Sequence, residues 1–221
     1  FGDPLLSDLI EQAARENLRL AKSTARVREA RALVGVAEAG LLPALGSAAA
    51  YDRARLSEET PILGDFIDRG VVDTSQELFS AGFDASWELD VFGGTRRAAQ
   101  AARARAEAAM AERRDVLLSI VAEVARNYFE LRGSQAELAA LEQSLGLQRE
   151  TLRLVEQKHG AGLATRGDVV RARAEVEALA ARLPPVRAAI AAGAFRLGVL
   201  TVTPPGEMWR AVSEPRSLPA G

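Results

Sequence analysis

Few side chains in this 221-residue chain could do chemistry. There is one histidine, His159, and no cysteine. Thiolate nucleophiles, disulfides and zinc–thiolate sites are therefore excluded, and one imidazole cannot build a His-based metal site. The sequence holds no nucleophile–base pair, phosphate-cradling loop or metal-ligand spacing, so it reads as a protein that is not an enzyme and needs no cofactor or metal. Two sets of acids stand out by position. Asp84, Glu88 and Asp90 fall on even positions of one segment, where they mark a wet face. Asp168 follows Thr165 at the spacing of a capping box, just beyond Gly160 and Gly162. Other acids, such as Asp8, Glu11 and Glu16 or Glu123, Glu130 and Glu137, fit solvated helix faces.

A strand must position the first set. Over 79–91 the odd residues Phe79, Ala81, Phe83, Ala85, Trp87, Leu89 and Val91 are apolar, and the even ones are small or acidic. A period of two predicts a strand with one greasy and one wet face. At ~3.3 Å per residue it would span ~40 Å, more than the roughly 9–11 residues that a tilted barrel strand needs. Phe79, Phe83, Trp87 and Leu89 are the residue types of a lipid-facing band with an aromatic girdle, and packing against a helix is the alternative. The period changes at Gly93–Gly94. Met110, Leu117, Val124, Leu131, Leu138, Leu145 and Leu152 then recur every seven residues, a heptad seam on a helix expected over 95–157. A long strand feeding directly into a long coiled-coil helix narrows the function more than any single residue does.

The other elements follow from caps and breakers. Asp3-Pro4 predicts a helix start, Asn17 an interruption, and a second helix runs over 18–39 until Gly40 and Pro43 stop it. Residues 43–56 read as a first strand, with Leu45 and Tyr51 on one side and Gly46, Ala48, Ala50 and Asp52 on the other. A polar loop over 57–77 completes a hairpin. Gly160, Gly162 and Leu163 end the long helix. Thr165 caps a return helix over 166–183, Pro184–Pro185 break it, and a further helix runs over 186–200. The Pro-rich segment 201–221 reads as irregular.

The fold class is thus mainly α with one β-hairpin: a long antiparallel coiled-coil helical hairpin plus two strands. The expected divisions are N-terminal helices over 1–42, the strand hairpin over 43–91, the helical hairpin over 92–200 and the irregular segment over 201–221. A net charge of −2 supplies no basic field for nucleic acid. No apolar run reaches the roughly 18 residues of a transmembrane helix, so a membrane role must use strands or an anchor. A hairpin with two open edges and a greasy face calls for oligomerisation or more chain to close it.

Ser86-Trp87-Glu88-Leu89-Asp90-Val91-Phe92-Gly93, followed by Arg96 and Arg97, resembles the strand-to-helix junction of TolC-type outer membrane factors, in particular their lipoprotein branch. Further pieces match in order: Asp3-Pro4-Leu5-Leu6 with Leu9-Ile10, Glu16-Asn17-Leu18-Arg19-Leu20, Leu42-Pro43 with Gly46, Gly162-Leu163-Ala164-Thr165 with Asp168-Val169, and Leu197-Gly198-Val199-Leu200 with Pro205-Gly206. The resemblance covers nearly the whole chain. It implies tandem copies of this unit assembled as a homotrimer in the outer membrane, with a large periplasmic portion. The strands would close a barrel in outer-membrane lipid. The helices would form a periplasmic tunnel whose tip meets a periplasmic adaptor protein, itself linked to an inner-membrane pump. Ala161, Gly162 and Leu163 then sit at the tip and contact the adaptor. Asp168 matches a position that helps hold the tip closed, although a helix-start Asp is the simpler account. Asp84, Glu88 and Asp90 face the lumen, where symmetric acidic rings would favour cations. Phe79, Phe83, Trp87 and Leu89 face lipid.

Two departures bear on this expectation. The chain carries one unit, and the lipidated cysteine of the lipoprotein branch is not in it, as expected of a fragment that starts after an anchor and stops at a repeat boundary. Val202 also stands where a glycine usually follows the terminal helix. The expected function is passive export of drugs or other small molecules. The rival is a soluble periplasmic coiled-coil adaptor or scaffold, but such proteins flank their helical hairpin with domains of many short strands that this sequence lacks.

Overall fold

A computed structural model describes residues 3–55 and 75–214. The elements in chain order are α1 (Pro4–Glu16), α2 (Leu18–Ala39), β1 (Ala44–Arg55), β2 (Ser75–Ser86), α3 (Gly94–Gly160), α4 (Arg166–Ala180), α5 (Leu183–Thr201) and α6 (Pro205–Val212). The fold is mainly α with one antiparallel hairpin among the described residues. Most of the loop expected over 57–77 lies outside the described residues, and its last three positions belong to β2. The chain divides into two compact units, one of residues 1–28 and 108–221 and one of residues 29–107.

The first unit is a helical bundle. Asp3 caps α1 by accepting the amides of Leu5 (2.9 Å) and Leu6 (3.3 Å), with Pro4 at the first helical position. Leu6, Leu9 and Ala13 of α1 are buried with Ile120, Val124, Tyr128 and Leu131 of α3 and with Ala194 and Leu197 of α5. Asn17 ends α1 and starts α2. Its Oδ1 accepts the Arg19 amide (2.9 Å), and its Nδ2 donates to the Leu200 carbonyl (2.8 Å). The sequence marks Asn17 as an interruption, but its tie to a helix end far along the chain shows only in three dimensions.

All seven expected seam residues from Met110 to Leu152 are buried or half-buried. A second series alternates with them at spacings of three and four: Arg113, Ile120, Asn127, Ser134, Leu141, Gln148 and Val155 are also withdrawn from solvent. Several of its members are polar, which hides the series from a count of apolar residues. Each polar one that bonds does so to a neighbouring helix. Arg113 Nε donates to Thr24 Oγ1 (2.9 Å), Asn127 Oδ1 accepts Arg196 Nε (2.7 Å), and Gln148 bonds Glu175. Such bonds offset the cost of removing polar atoms from water.

The return arm keeps its own heptad. Val169, Ala172, Val176, Leu179, Leu183, Val186, Ile190, Gly193, Leu197 and Leu200 are buried or half-buried in an unbroken 3-4 alternation. The expected break at Pro184–Pro185 is displaced. The turn lies at 181–182, and both prolines sit inside the first turn of α5, where an amide would have no helical acceptor. The seam therefore stays in phase across the break. The stretch Arg166–Thr201 is long and apolar enough by composition to cross a membrane. Yet Arg187 bonds Glu142 (2.8 Å) and Arg196 bonds Asn127 (2.7 Å), while Ile190, Ala194 and Leu197 are buried against the bundle.

The segment expected to be irregular over 201–221 contains a helix, α6. Pro205 starts it rather than breaking it, and Met208 and Val212, four apart, are buried. Before it, Val202 takes a left-handed conformation (φ 56°, ψ 37°), and the Thr203 amide donates to the Gly198 carbonyl at 2.8 Å. That closes α5 as a glycine would, but a β-branched residue is strained there. Val202→Gly is expected to stabilise the protein by about 1 kcal/mol in thermal unfolding. An unchanged or lower midpoint would contradict the strain.

A buried polar network joins both ends of this unit. The Tyr128 hydroxyl donates to Asp3 Oδ2 (2.5 Å), and the Arg132 guanidinium lies 5.0 Å from the centre of the Tyr128 ring. Arg132 is 1% exposed, and its Nη1 donates to Gln135 Oε1 (2.8 Å) and to the Glu214 carbonyl (2.7 Å). Burial alone would raise the pKa of Asp3. The bonds from Tyr128, Leu6 and Leu5, with the Arg132 charge, outweigh it and hold the carboxyl below its usual value. The stabilisation from Asp3 is therefore complete above the unfolded value of about 3.9, and it is lost as pH falls through the lower folded value. Urea titrations at descending pH should show a smaller acid-limb loss in Asp3→Asn than in the parent chain; equal losses would refute this.

In the second unit, Ala99, Ala102 and Ala106 of α3 are buried, and Arg103 pairs with Glu38 of α2 at 2.6 Å. The hairpin runs in register from Ala44↔Ser86 to Arg55↔Ser75. β2 therefore ends at Ser86, five residues before the end of the alternating segment. The next residue of the first arm would be Pro43, which has no amide to donate to a ladder. Alternation in the sequence outlasts the pairing that it normally reports.

Candidate functional site

Antiparallel pairing puts partnered residues on the same face. One face of the hairpin carries Leu45/Ala85, Ser47/Phe83, Ala49/Ala81 and Tyr51/Phe79. It is open to solvent: Phe83 is 93% exposed, Leu45 and Phe79 are exposed too, and the rings of Tyr51 and Phe79 lie 4.6 Å apart. The other face carries Ala44/Ser86, Gly46/Asp84, Ala48/Gly82, Ala50/Ser80 and Asp52/Leu78. The Asp84 carboxylate lies directly over Gly46. A Cβ on Gly46 would come within 2.8 Å of Asp84 Oδ2 and 2.9 Å of its Cγ. Gly46 is thus the space that Asp84 occupies, a cross-strand relation that neither residue's own neighbours reveal.

Trp87, Glu88, Leu89 and Asp90 lie beyond β2, so the pleat does not assign them to faces. The indole of Trp87 donates to the Leu41 carbonyl (3.3 Å), and Glu88 and Leu89 are exposed. Asp90 starts the long helix. Its carboxylate accepts the amides of Thr95 (3.3 Å) and Arg96 (2.9 Å) and the Nε of Arg96 (3.3 Å), while its carbonyl accepts Arg96 Nη2 (3.1 Å). Gly93 at φ 80° turns the chain into α3. The aspartate that alternation reads as one more wet-face acid is bound to two of the helix's free N-terminal amides.

The turn between α3 and α4 is closed by backbone bonds. The Leu163 amide donates to the Lys158 carbonyl (2.8 Å) and the Gly162 amide to the His159 carbonyl (3.0 Å), with Gly162 at φ 76°. His159 Nδ1 lies 2.8 Å from the Ala164 carbonyl oxygen. Leu163 is held by this frame and is 78% exposed; Ala161 is exposed beside it. The capping box is present. Asp168 Oδ2 accepts the Thr165 amide (2.9 Å) and hydroxyl (2.6 Å), the Asp168 amide donates to Thr165 Oγ1 (3.2 Å), and Arg171 Nη2 donates to Asp168 Oδ1 (2.8 Å). The hydroxyl and amide of Thr165, then Arg171, hold the Asp168 carboxyl below the usual range.

Residues 9–200 match the model of the outer membrane efflux protein family. The chain belongs to that family. It is 32% identical over 184 residues to the pyoverdine export outer membrane protein OpmQ of Pseudomonas aeruginosa, covering 83% of this chain and 38% of that protein. It is 29% identical over 224 residues to nodulation protein T of Rhizobium leguminosarum bv. trifolii, covering 100% of this chain and 45% of that one. The solved outer-membrane channel OprN superposes with a TM-score of 0.84 at 33% identity, over 99% of this chain and 47% of that chain. This outer membrane efflux protein chain thus spans less than half the length of these relatives. The efflux-protein fold accounts for the pairing of a strand hairpin with heptad helices that the period switch at Gly93–Gly94 marks.

Proposed function

We propose that this chain is one repeat of the outer-membrane channel of a tripartite efflux system, a passive duct that exports drugs or other small molecules. The observation that carries the reading is the two-faced hairpin. It has one exposed apolar face, one small and polar face, and two open edges. Exposed to water, such a face is an aggregation hazard; within a closed barrel its backbone is paired and its apolar side meets lipid. The same exposed face disfavours the soluble adaptor reading. The channel works as a homotrimer in the outer membrane, with its heptad helices forming the periplasmic tunnel. Ala161, Gly162 and Leu163 meet the periplasmic adaptor, for which the exposed Leu163 offers an apolar contact on a rigid turn. The adaptor links the duct to an inner-membrane pump.

Phe79 and Phe83 face lipid and Asp84 the lumen, as the paired rows divide them. Continuing the alternation carries Trp87 and Leu89 to lipid and Glu88 to the lumen, where threefold repetition of Asp84 and Glu88 makes acidic rings, while the Asp90 carboxylate is engaged by the start of the long helix and Arg96. Asp168 contributes to closing the tip if its partner changes from Arg171 to a group on another repeat. Planar-bilayer recording on the natural full-length protein tests these assignments together. It should form channels; failure to conduct rejects the duct. Asp168→Ala should raise closed-state conductance, and an unchanged value removes Asp168 from the gate. Asp84→Asn with Glu88→Gln should shift the reversal potential toward lower cation preference, and no shift rejects the rings.

A further inference from the structure

The apolar face of the hairpin ends abruptly. From the Leu45/Ala85 row to the Tyr51/Phe79 row it covers about 20 Å of strand, or ~15 Å of height at the ~40° tilt of barrel strands, so these rows fill the part of the ~25 Å lipid band nearest the loop end. The next row on the same face pairs Arg53 with Glu77, with Arg53 Nε 3.4 Å from Glu77 Oε1. The row after that pairs Arg55 with Ser75. Arg55 is exposed and has no carboxylate opposite it. Asp52, at the same level, belongs to the other face. Within two rows, then, the face passes from apolar to aromatic to cationic, and its one described acid is already engaged by Arg53.

We propose that Arg55, with Arg53 beside it, binds the phosphate groups of lipid headgroups at the loop end of the hairpin. This rests on the reading that the apolar face meets lipid. The guanidinium presents a planar fork of donors that matches phosphate oxygens in a bidentate manner. The Tyr51–Phe79 pair sits one row inside, at the depth where aromatic rings meet headgroups. A cation held at a phosphate-bearing surface strengthens attachment about five-fold per residue. Arg55 carries most of the effect, because Arg53 divides its donors between phosphate and Glu77.

The test uses the natural full-length protein, purified in zwitterionic detergent with a bis-phosphorylated lipid A or with phosphatidylcholine. Bound lipid is counted by native mass spectrometry. Arg55→Ser should retain about five-fold less lipid A, Arg53→Gln with Arg55→Ser still less, and Arg55→Lys an intermediate amount. Phosphatidylcholine, whose single phosphodiester charge is offset by its own choline, should be retained equally by all variants, because the arginines select phosphates with uncompensated charge. Equal lipid A retention in Arg55→Ser overturns the proposal. So does full displacement by inorganic phosphate, which would make this a free-anion site. Loss of lipid A on chelation of divalent cations in the unmodified protein would assign the binding to metal bridges from acidic residues instead. A fluorophore at Phe83→Cys, quenched by brominated lipid, reports on the underlying reading. If it is not quenched, the lipid-facing assignment fails; if it is quenched while Arg55→Ser retains lipid A, the arginine proposal alone fails.

Discussion

Phe83→Arg is expected to abolish assembly of the full-length channel in membranes. Phe83 lies within the apolar rows of the hairpin and is almost fully exposed in the isolated chain. An arginine on the lipid face near the bilayer midplane costs about 2–4 kcal/mol, which the proposed homotrimer would meet three times. The total is comparable to the whole stability of an ordinary domain. The measurement is the yield of folded trimer after refolding into liposomes, read by gel mobility before and after heating. Ser80→Arg, on the opposite face, is the control and should assemble. Normal yield of Phe83→Arg would contradict the lipid-facing assignment, and failure of both variants would show only that the hairpin does not accept a long side chain.

Leu131→Ala is expected to destabilise the helical bundle by about 3 kcal/mol. Leu131 is fully buried on the heptad seam of α3, and Gly193 of α5 leaves room for it: a Cβ on Gly193 would lie 3.3 Å from Leu131 Cβ. The pair is a knob over a hole, which makes a second prediction possible at the same site. Gly193→Ala alone should destabilise modestly, because the leucine must shift by a few tenths of an ångström. Combined with Leu131→Ala it should recover part of the loss: the contacts with Leu131 Cδ1 (3.4 Å) and Cγ (3.7 Å) disappear and leave space beside the added methyl group, while the one with Cβ remains. Denaturant unfolding of the four proteins gives the coupling directly. Strict additivity would show that the two residues do not share a contact.

The sequence revealed some parts of this molecule and hid others for physical reasons. Local features were readable. Asp3-Pro4 caps α1, Thr165 and Asp168 form their capping box, Gly162 takes a positive φ, and the leucine heptad runs along α3. Each of these depends on residues within one or two turns. Features set by distant partners were not readable. Gly46 is required by Asp84 across the hairpin, and Pro43 ends the ladder opposite Trp87. Asn127, Arg113 and Gln148 complete a second seam only because other helices bring them partners. The misread prolines share one cause. A proline breaks a helix interior but suits a first turn, and sequence alone does not say on which side of it the helix begins.

The central claim, a hairpin with one face to lipid and one to an aqueous lumen, can be tested position by position. This chain contains no cysteine. Single cysteines can be placed at each position from Phe79 to Ser86 in a full-length protein whose other free thiols are replaced, and carry an environment-sensitive fluorophore in reconstituted vesicles. The account predicts strict alternation. Probes at 79, 81, 83 and 85 should be quenched by brominated lipid, and probes at 80, 82, 84 and 86 by a water-soluble quencher instead. Uniform quenching along the strand, or alternation in the opposite phase, would contradict it.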